Sequence, residues 1–352
     1  MNYLKRMLWP FSLLYGGVTQ ARNFLYDREL LHTHRFELPV IGVGNLTVGG
    51  TGKTPHVEYL LRLLQAYKVA TLSRGYKRQS KGFLLADTQS TAKSIGDEPY
   101  QYYRDFPGVT VAVSEDRVAG IAQLLQRVPE TEVVVLDDAM QHRPVQPSLN
   151  LLITDYNRPF YRDFVLPAGL LREPRQGARR ADAVIVSKCP QTLDLQEQAL
   201  IRRKIGKYIV DGTPVFFSAF TYGEPVQMGL PETPAKKVLL LTGIANAAPL
   251  KEYLLSQGYA IVQHLEYPDH YAYRPQDLQK LQQLLLQSEI AGAHILTTRK
   301  DAVKLAGPEL DPLTKQLPMF YIPIVVRFLQ GQEAFNQLVL QHVQDVRNRE
   351  RA

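Results

Sequence analysis

The chain has 352 residues, 45% hydrophobic and 21% charged, which suits a folded protein of two ordinary domains and excludes a disordered one. A formal net charge of +7 and a pI of about 9.3 favour anionic partners: phosphates, nucleic acid or an acidic membrane surface. The single cysteine, Cys189, excludes an internal disulfide framework and a four-cysteine zinc site, and fits a reducing compartment.

In chain order, the first stretch is apolar from Met7 to Val18 but is interrupted by Pro10, Ser12 and the Gly16-Gly17 pair. It falls short of the ~20 residues that a spanning helix needs, and no small-x-small cleavage site follows it. Lys5, Arg6, Arg22 and Arg28 flank Leu, Trp, Phe and Tyr, so two readings stand: a segment lying on lipid, or a helical hairpin packed on its own domain. Residues 38–44 read as a buried strand, and 53–66 as a helix with Val57, Leu60, Leu61 and Leu64 on one face. Strands follow at 67–73, 108–114, 131–138, 149–155 and 181–187, with a helix starting after Ser114. This alternation predicts an α/β fold, a mainly parallel sheet with helices on both faces. The pattern restarts at 236–264, continues with a helix from Pro275 to about Glu289, and closes with a helix over 331–345. The expected organisation is an N-terminal helical segment (1–35), a phosphate-loop domain (36–220), a Pro- and Gly-bearing hinge (221–237) and a smaller α/β lobe (238–352).

The stretch "VGNLTVGGTGKTP" almost spells a Walker-A loop, with Thr47 where the first glycine belongs. A phosphate loop physically needs a nest of backbone N–H groups, a lysine and a hydroxyl. Gly49, Gly50, Thr51 and Gly52 provide the first, Lys53 reaches β/γ-phosphates, and Thr54 is a magnesium ligand. Pro55 suits a first helical turn, where its missing N–H costs little. The core resembles the deviant K-G-G-x-G-K-[ST] loops of P-loop ATPases, with Val48 in place of their extra lysine. A magnesium site needs a second carboxylate at a neighbouring strand end, and "VVVLDDAMQHR" offers Asp137 and Asp138, either of which meets the metal directly or through water. "SIGDEP" places Asp97 and Glu98 in a loop rather than on a helix face, and "YPDHYAY" sets His270 beside Asp269. On residue chemistry, these last groups read equally as an ordinary turn and a structural histidine.

Jointly, "VGNLTVGGTGKTP", "LSRGYKR", "GDEP", "SEDRVAG", "VVLDDAMQHR", "LPAGLLREP", "LTGIANAAPL", "YPDHYAY" and "TTRKDAVKL" resemble the tetraacyldisaccharide 4′-kinase family, in order over about residues 43–305. The resemblance implies a two-lobed P-loop kinase at the cytoplasmic face of the inner membrane. It would use ATP and Mg2+ to phosphorylate the 4′-hydroxyl of a tetraacylated glucosamine disaccharide 1-phosphate, in lipid A biosynthesis. Its other partner would be the anionic membrane surface, with no nucleic acid and no obligate protein partner. Carried onto this chain, it makes Asp97 the catalytic aspartate and His270 its partner in a base dyad. Glu98, Asp137, Asp138 and Thr54 would form the metal environment, and Lys53 would serve the phosphates. Gln141 and His142 would lie near the reacting groups, with Arg117 and Arg172 stabilising phosphate charge. Ala139, Met140, Leu170 and Arg299 depart from the commoner family residues, as does "VSKCP", which lacks an asparagine. Arg74, Lys77, Arg78 and Lys81 form a second basic cluster suited to lipid headgroups or to a solvated loop.

The rival readings are a P-loop GTPase or ATPase switch or metallochaperone-like protein, a nucleic-acid-binding ATPase, and an inactive lipid-binding relative. The first needs a guanine-reading N-K-x-D, and "SKCP" has neither the asparagine nor the aspartate.

Overall fold

A computed structural model describes residues 3–230, 233–244, 246–269 and 271–351. In chain order the elements begin with α1 (Tyr3–Asp27), β1 (Val40–Gly44), α2 (Lys53–Leu63), β2 (Val69–Ser73), β3 (Leu84–Leu85), α3 (Ala92–Ile95) and α4 (Asp97–Asp105). Next come β4 (Thr110–Val113), α5 (Arg117–Arg127), β5 (Val133–Asp137), β6 (Leu149–Asp155), β7 (Ala183–Ser187), α6 (Leu195–Gly206) and β8 (Val215–Tyr222). They are followed by β9 (Val226–Gln227), β10 (Lys237–Thr242), α7 (Ala248–Ser256), β11 (Ala260–Glu266) and α8 (Pro275–Leu285). The chain ends with β12 (His294–Thr298), α9 (Arg299–Leu305), α10 (Asp311–Thr314), β13 (Met319–Ile322), β14 (Ile324–Gln330) and α11 (Gln332–Arg351).

The chain forms two compact units: Met1–Gln89, Tyr102–Phe220 and Val326–Ala352 make the first, Ser90–Gln101 and Thr221–Val325 the second. The larger sheet runs β14-β8-β7-β6-β1-β5-β2-β4-β3. Its pairs from β8 through β4 are parallel, and β3 pairs antiparallel to β4. Successive residues of β1 enter opposite faces, Ile41 and Val43 one core and Val40 another, because strand side chains alternate. The fully buried strands carry near-continuous Val, Ile and Leu, as a sheet covered on both faces requires. In the second unit a sheet β11-β10-β12-β13-β9 is parallel except for β9, and its alternating residues also feed two cores.

Four expectations need correction. The N-terminal segment is one 25-residue helix, not a hairpin, with Pro10 inside it. Its Gly pair costs roughly 1 kcal/mol per glycine relative to alanine. That cost is offset by docking: Ser12 Oγ accepts from Ala168 N at 2.9 Å, and Tyr15 Oη donates to Arg172 O at 3.2 Å. Asp97 and Glu98 stand in the first turn of α4 rather than in a loop. Gly96, with φ 97, ends α3, and both acids at the next start favour the positive helix end. The final 27 residues expected in the C-terminal lobe return to the first unit (326 to 352). Phe335, Val339 and Val343, four apart on α11, join Ile41, Val57 and Leu60 in its core. The expected hinge is also not plain linker: β8 runs continuously to Tyr222, and β9 edges the second sheet.

Candidate active site

Parallel α/β sheets place ligands at the carboxyl ends of their strands, near the point where strand order reverses. Here β1 sits between β5 and β6, and the loop at 45–52 leaves its end. Gly44 is obligatory for packing: a Cβ there would lie 2.7 Å from both N and Cβ of Met140. Gly49 and Gly52 have φ of 105° and 88°, the left-handed region that suits glycine. A Cβ on Gly52 would also strike the Phe220 ring at 2.4 Å. Helix α2 then starts at Lys53, so its first N–H groups lack intrahelical partners and are available to an anion. Asn45 Nδ2 donates to Thr51 Oγ1 at 2.8 Å and braces the loop from within. Thr54 occupies the first turn of α2.

Asp137 ends β5, and Asp138 follows with φ 54. Tyr102 Oη donates to Asp137 Oδ2 at 2.9 Å, while the buried Oδ1 has no hydrogen-bond partner among the described residues. Burial pushes the Asp137 carboxyl up against the opposing charge of Lys53, and Asp138 adds to the push. At Asp138, partial desolvation disfavours ionisation, but the Arg172 fork and Lys53 outweigh it and hold the group well below the usual carboxylate range. Arg172 Nη1 and Nη2 reach the two Asp138 oxygens at 2.9 and 2.7 Å. Lys53 Nζ lies 3.4 Å from Asp138 Oδ1 and 3.4 Å from Asn45 Oδ1. Arg172 also donates to the carbonyl and side-chain oxygens of Asn45. Two cations and one ionised carboxylate thus converge beside the loop.

Arg117 is buried, and its Nη2 donates to the carbonyls of Asp137 and Asp138 at 3.2 and 3.3 Å. It braces the aspartates from behind. Gln141 Nε2 donates to Asn45 O and to Glu173 Oε1, both at 2.9 Å. Buried Glu173 also accepts from Arg180 at 2.7 Å and from Asn23 of α1 at 2.7 Å. His142 is pushed down to about 4 by burial and then by the Arg117 charge, so its ring is neutral at pH 7.

Within the first unit, therefore, Gly49, Gly50, Thr51, Gly52, Lys53, Thr54, Arg117, Asp137, Asp138, Gln141, His142 and Arg172 cluster at the strand ends. Asp97 and Glu98 belong to the second unit, and His270 lies outside the described residues. Sequence reading assigned no role to Asn45, Glu173, His56, Ser187 or Lys188, although Asn45, Glu173, Ser187 and Lys188 lie inside the stretches quoted above. In the second basic cluster Arg78 is unsuited to headgroups: it donates to Gly82 O and pairs with Glu115, both at 2.6 Å, and its side chain is 3% exposed.

A model of the LpxK family, tetraacyldisaccharide-1-P 4'-kinase, matches residues 4–344. The chain belongs to that family. A tetraacyldisaccharide 4'-kinase of Flavobacterium johnsoniae is 43% identical over 349 residues, covering 98% of this chain and 99% of its own. One from Parabacteroides distasonis is 44% identical over 352 residues, covering 96% and 94%. The crystal structure of LpxK from Aquifex aeolicus in complex with ATP superposes with a TM-score of 0.75 at 32% identity, over 97% of this chain and 99% of that one. The protein is a kinase on a P-loop α/β fold, and the switch-protein alternative falls away.

Proposed function

We propose that this kinase moves the γ-phosphoryl group of ATP to the 4′-hydroxyl of tetraacyldisaccharide 1-phosphate, with magnesium, at the cytoplasmic face of the inner membrane. The observation carrying this reading is the convergence of Lys53 and Arg172 on Asp138, next to a glycine loop that opens a helix. Phosphoryl transfer asks for positioning and charge neutralisation more than for covalent work. The loop N–H groups and Lys53 hold the β/γ-phosphates, and Arg172 offsets the charge on the transferred group.

The residues present fit a magnesium ion. Asp137 Oδ1 is buried without a partner among the described residues, and the donors at hand are hard oxygens. Within the first unit Thr54, Asp137 and Asp138 would hold the ion, which when bound would neutralise phosphate charge. Asp97, balanced by His270, accepts the proton of the attacking hydroxyl late, as the bond to phosphorus forms. Asp97→Ala is expected to lower turnover by roughly 10²–10⁴. Turnover within a few-fold of wild type would remove Asp97 from the role of base.

The acceptor is an amphiphile, and α1 supports a surface-bound enzyme. Met7, Phe11, Leu14, Val18 and Leu25 are exposed along one face, while Ser12, Tyr15 and Asn23 bind the body of the first unit. No described helix is long and apolar enough to cross a membrane. An apolar face with Arg28 beside it suits the headgroup region of an anionic bilayer. The side chains of Lys5 and Arg6 lie outside the described residues.

A further inference from the structure

Three successive carbonyls of the phosphate loop are each held by a side chain. Lys188 Nζ donates to Gly50 O. Ser187 Oγ donates to Thr51 O at 2.6 Å, and His56 Nδ1 lies 2.8 Å from Gly52 O. The carbonyl accepts only, so Nδ1 carries the proton, and Nε2 is left to accept from Ser218 Oγ at 3.0 Å. Ser187 is 0% and His56 2% exposed, so these tethers are part of the buried frame. Lys188 differs: its side chain is 33% exposed, and its Nζ is anchored by Asp155 Oδ2 at 2.7 Å. It stands one residue past β7 with φ 58, a left-handed conformation uncommon for a non-glycine residue.

We infer that Lys188, oriented by Asp155, is a positioning residue for the nucleotide's phosphates. It sets the phosphate loop by holding the Gly50 carbonyl, with Ser187 and His56 holding the next two. A trans peptide points its C=O and the following N–H in opposite directions. Fixing the carbonyls of Thr51 and Gly52 from outside therefore aims the N–H groups of Gly52 and Lys53 to the other side. Fixing Gly50 O stabilises the preceding turn, in which Thr51 N closes on Gly49 O at 3.0 Å. Gly49 and Gly50 are otherwise free to turn, with nothing within 4 Å of where a Cβ would sit on either. A stretch so bare of packing needs a tether to present a single conformation, and Lys188 supplies a charged one at Gly50.

The inference rests on the reading of this loop as the ATP phosphate site, and the test separates the two. Steady-state transfer and the ATP-induced rise in Tm are measured on the full chain, with MgATP as probe. The variants are Lys188→Met, Lys188→Arg, Asp155→Asn and Lys53→Ala. Losing a charge-assisted hydrogen bond that organises binding predicts a KM for ATP raised about 10- to 100-fold in Lys188→Met. The kcat at saturating ATP, the KM for lipid and the Tm without ATP should hold, while the ATP-induced rise shrinks. Lys188→Arg, which still donates to a carbonyl and a carboxylate, restores most of the KM, and Asp155→Asn reproduces a smaller rise. An unchanged KM, a fall in kcat at constant KM, or a loss of Tm without ATP in both Lys188→Met and Asp155→Asn overturns the inference. In the first of these cases wild type still binds ATP through Lys53, so the phosphate-site reading survives. A wild type whose ATP binding is indifferent to Lys53→Ala overturns both.

Discussion

Asp137 and Asp138 are neighbours in sequence with opposite electrostatic fates: the first is buried beside a tyrosine hydroxyl, the second held in an arginine fork. The same sensitivity to surroundings makes His56, on α2 behind the loop, a pH-dependent support of it. Its ordinary value of 6.5 falls to about 4 because burial penalises the imidazolium, with the Gly52 carbonyl opposing weakly. Above pH 6.5 both folded and unfolded chains hold it neutral, and its contribution to stability is complete. As pH falls from 6.5 to 4 the unfolded chain takes the proton first, so stability drops, by at most about 3 kcal/mol. Denaturant unfolding across that range should show a shallower slope in His56→Gln than in wild type, because His142 keeps its own share; an equal slope in both would contradict the assignment. At this scale legibility followed locality. The places of Lys53 and Thr54 at a helix start could be read because strand, loop and helix lie contiguous in sequence, and those of the aspartates because an apolar run leads into them. Asn45 and His56 were not, since each acts through a partner that only folding brings near, such as Arg172 for Asn45 and Ser218 for His56.

At the scale of elements, α1 inverts the usual arrangement of a surface helix, which turns its apolar stripe toward the core. Its inward contacts are polar, among them Arg22 to Gln141 O at 2.9 Å and Arg143 to Asp27 at 2.7 Å, and its outward face is apolar. Leu14→Glu with Val18→Glu should therefore weaken co-sedimentation with anionic vesicles by about tenfold or more, with Tm unchanged. Equal sedimentation would mean that the face does not meet lipid. The sequence showed the apolar and basic character of this segment, but Pro10 and the glycine pair suggested breaks. Docking contacts from residues more than a hundred positions away keep it a single helix, and no local pattern reports them. The start of α4 was misread for the reverse reason: glycine and proline around Asp97 signal a turn locally, yet Gly96 caps one helix and Pro99 is tolerated in the first turn of the next.

For the whole molecule, the alternation of strands and helices sufficed to read a parallel sheet and a restart of the pattern, while the family came from the resemblance of the quoted motifs. It did not reveal that the chain returns to its first unit at Val326, because a strand and helix after β13 continue the local pattern of the second. The return has a consequence. Burying Phe335, Val339 and Val343 is worth roughly 1.5–3 kcal/mol each, comparable in sum to the 5–15 kcal/mol net stability of a domain. A chain ended at Gln330 should lose ATP binding and solubility, as read by thermal shift and gel filtration; a monomeric, ATP-binding product would contradict the assignment of α11 to that core. The most direct test of the account as a whole is transfer of label from γ-labelled ATP, with magnesium, to tetraacyldisaccharide 1-phosphate in mixed micelles, wild type against Lys53→Ala. The account predicts labelled bisphosphorylated lipid in wild type and a loss of at least about 10²-fold in the variant. Folded wild type that releases only free phosphate, or that labels the lipid equally well without Lys53, would contradict it.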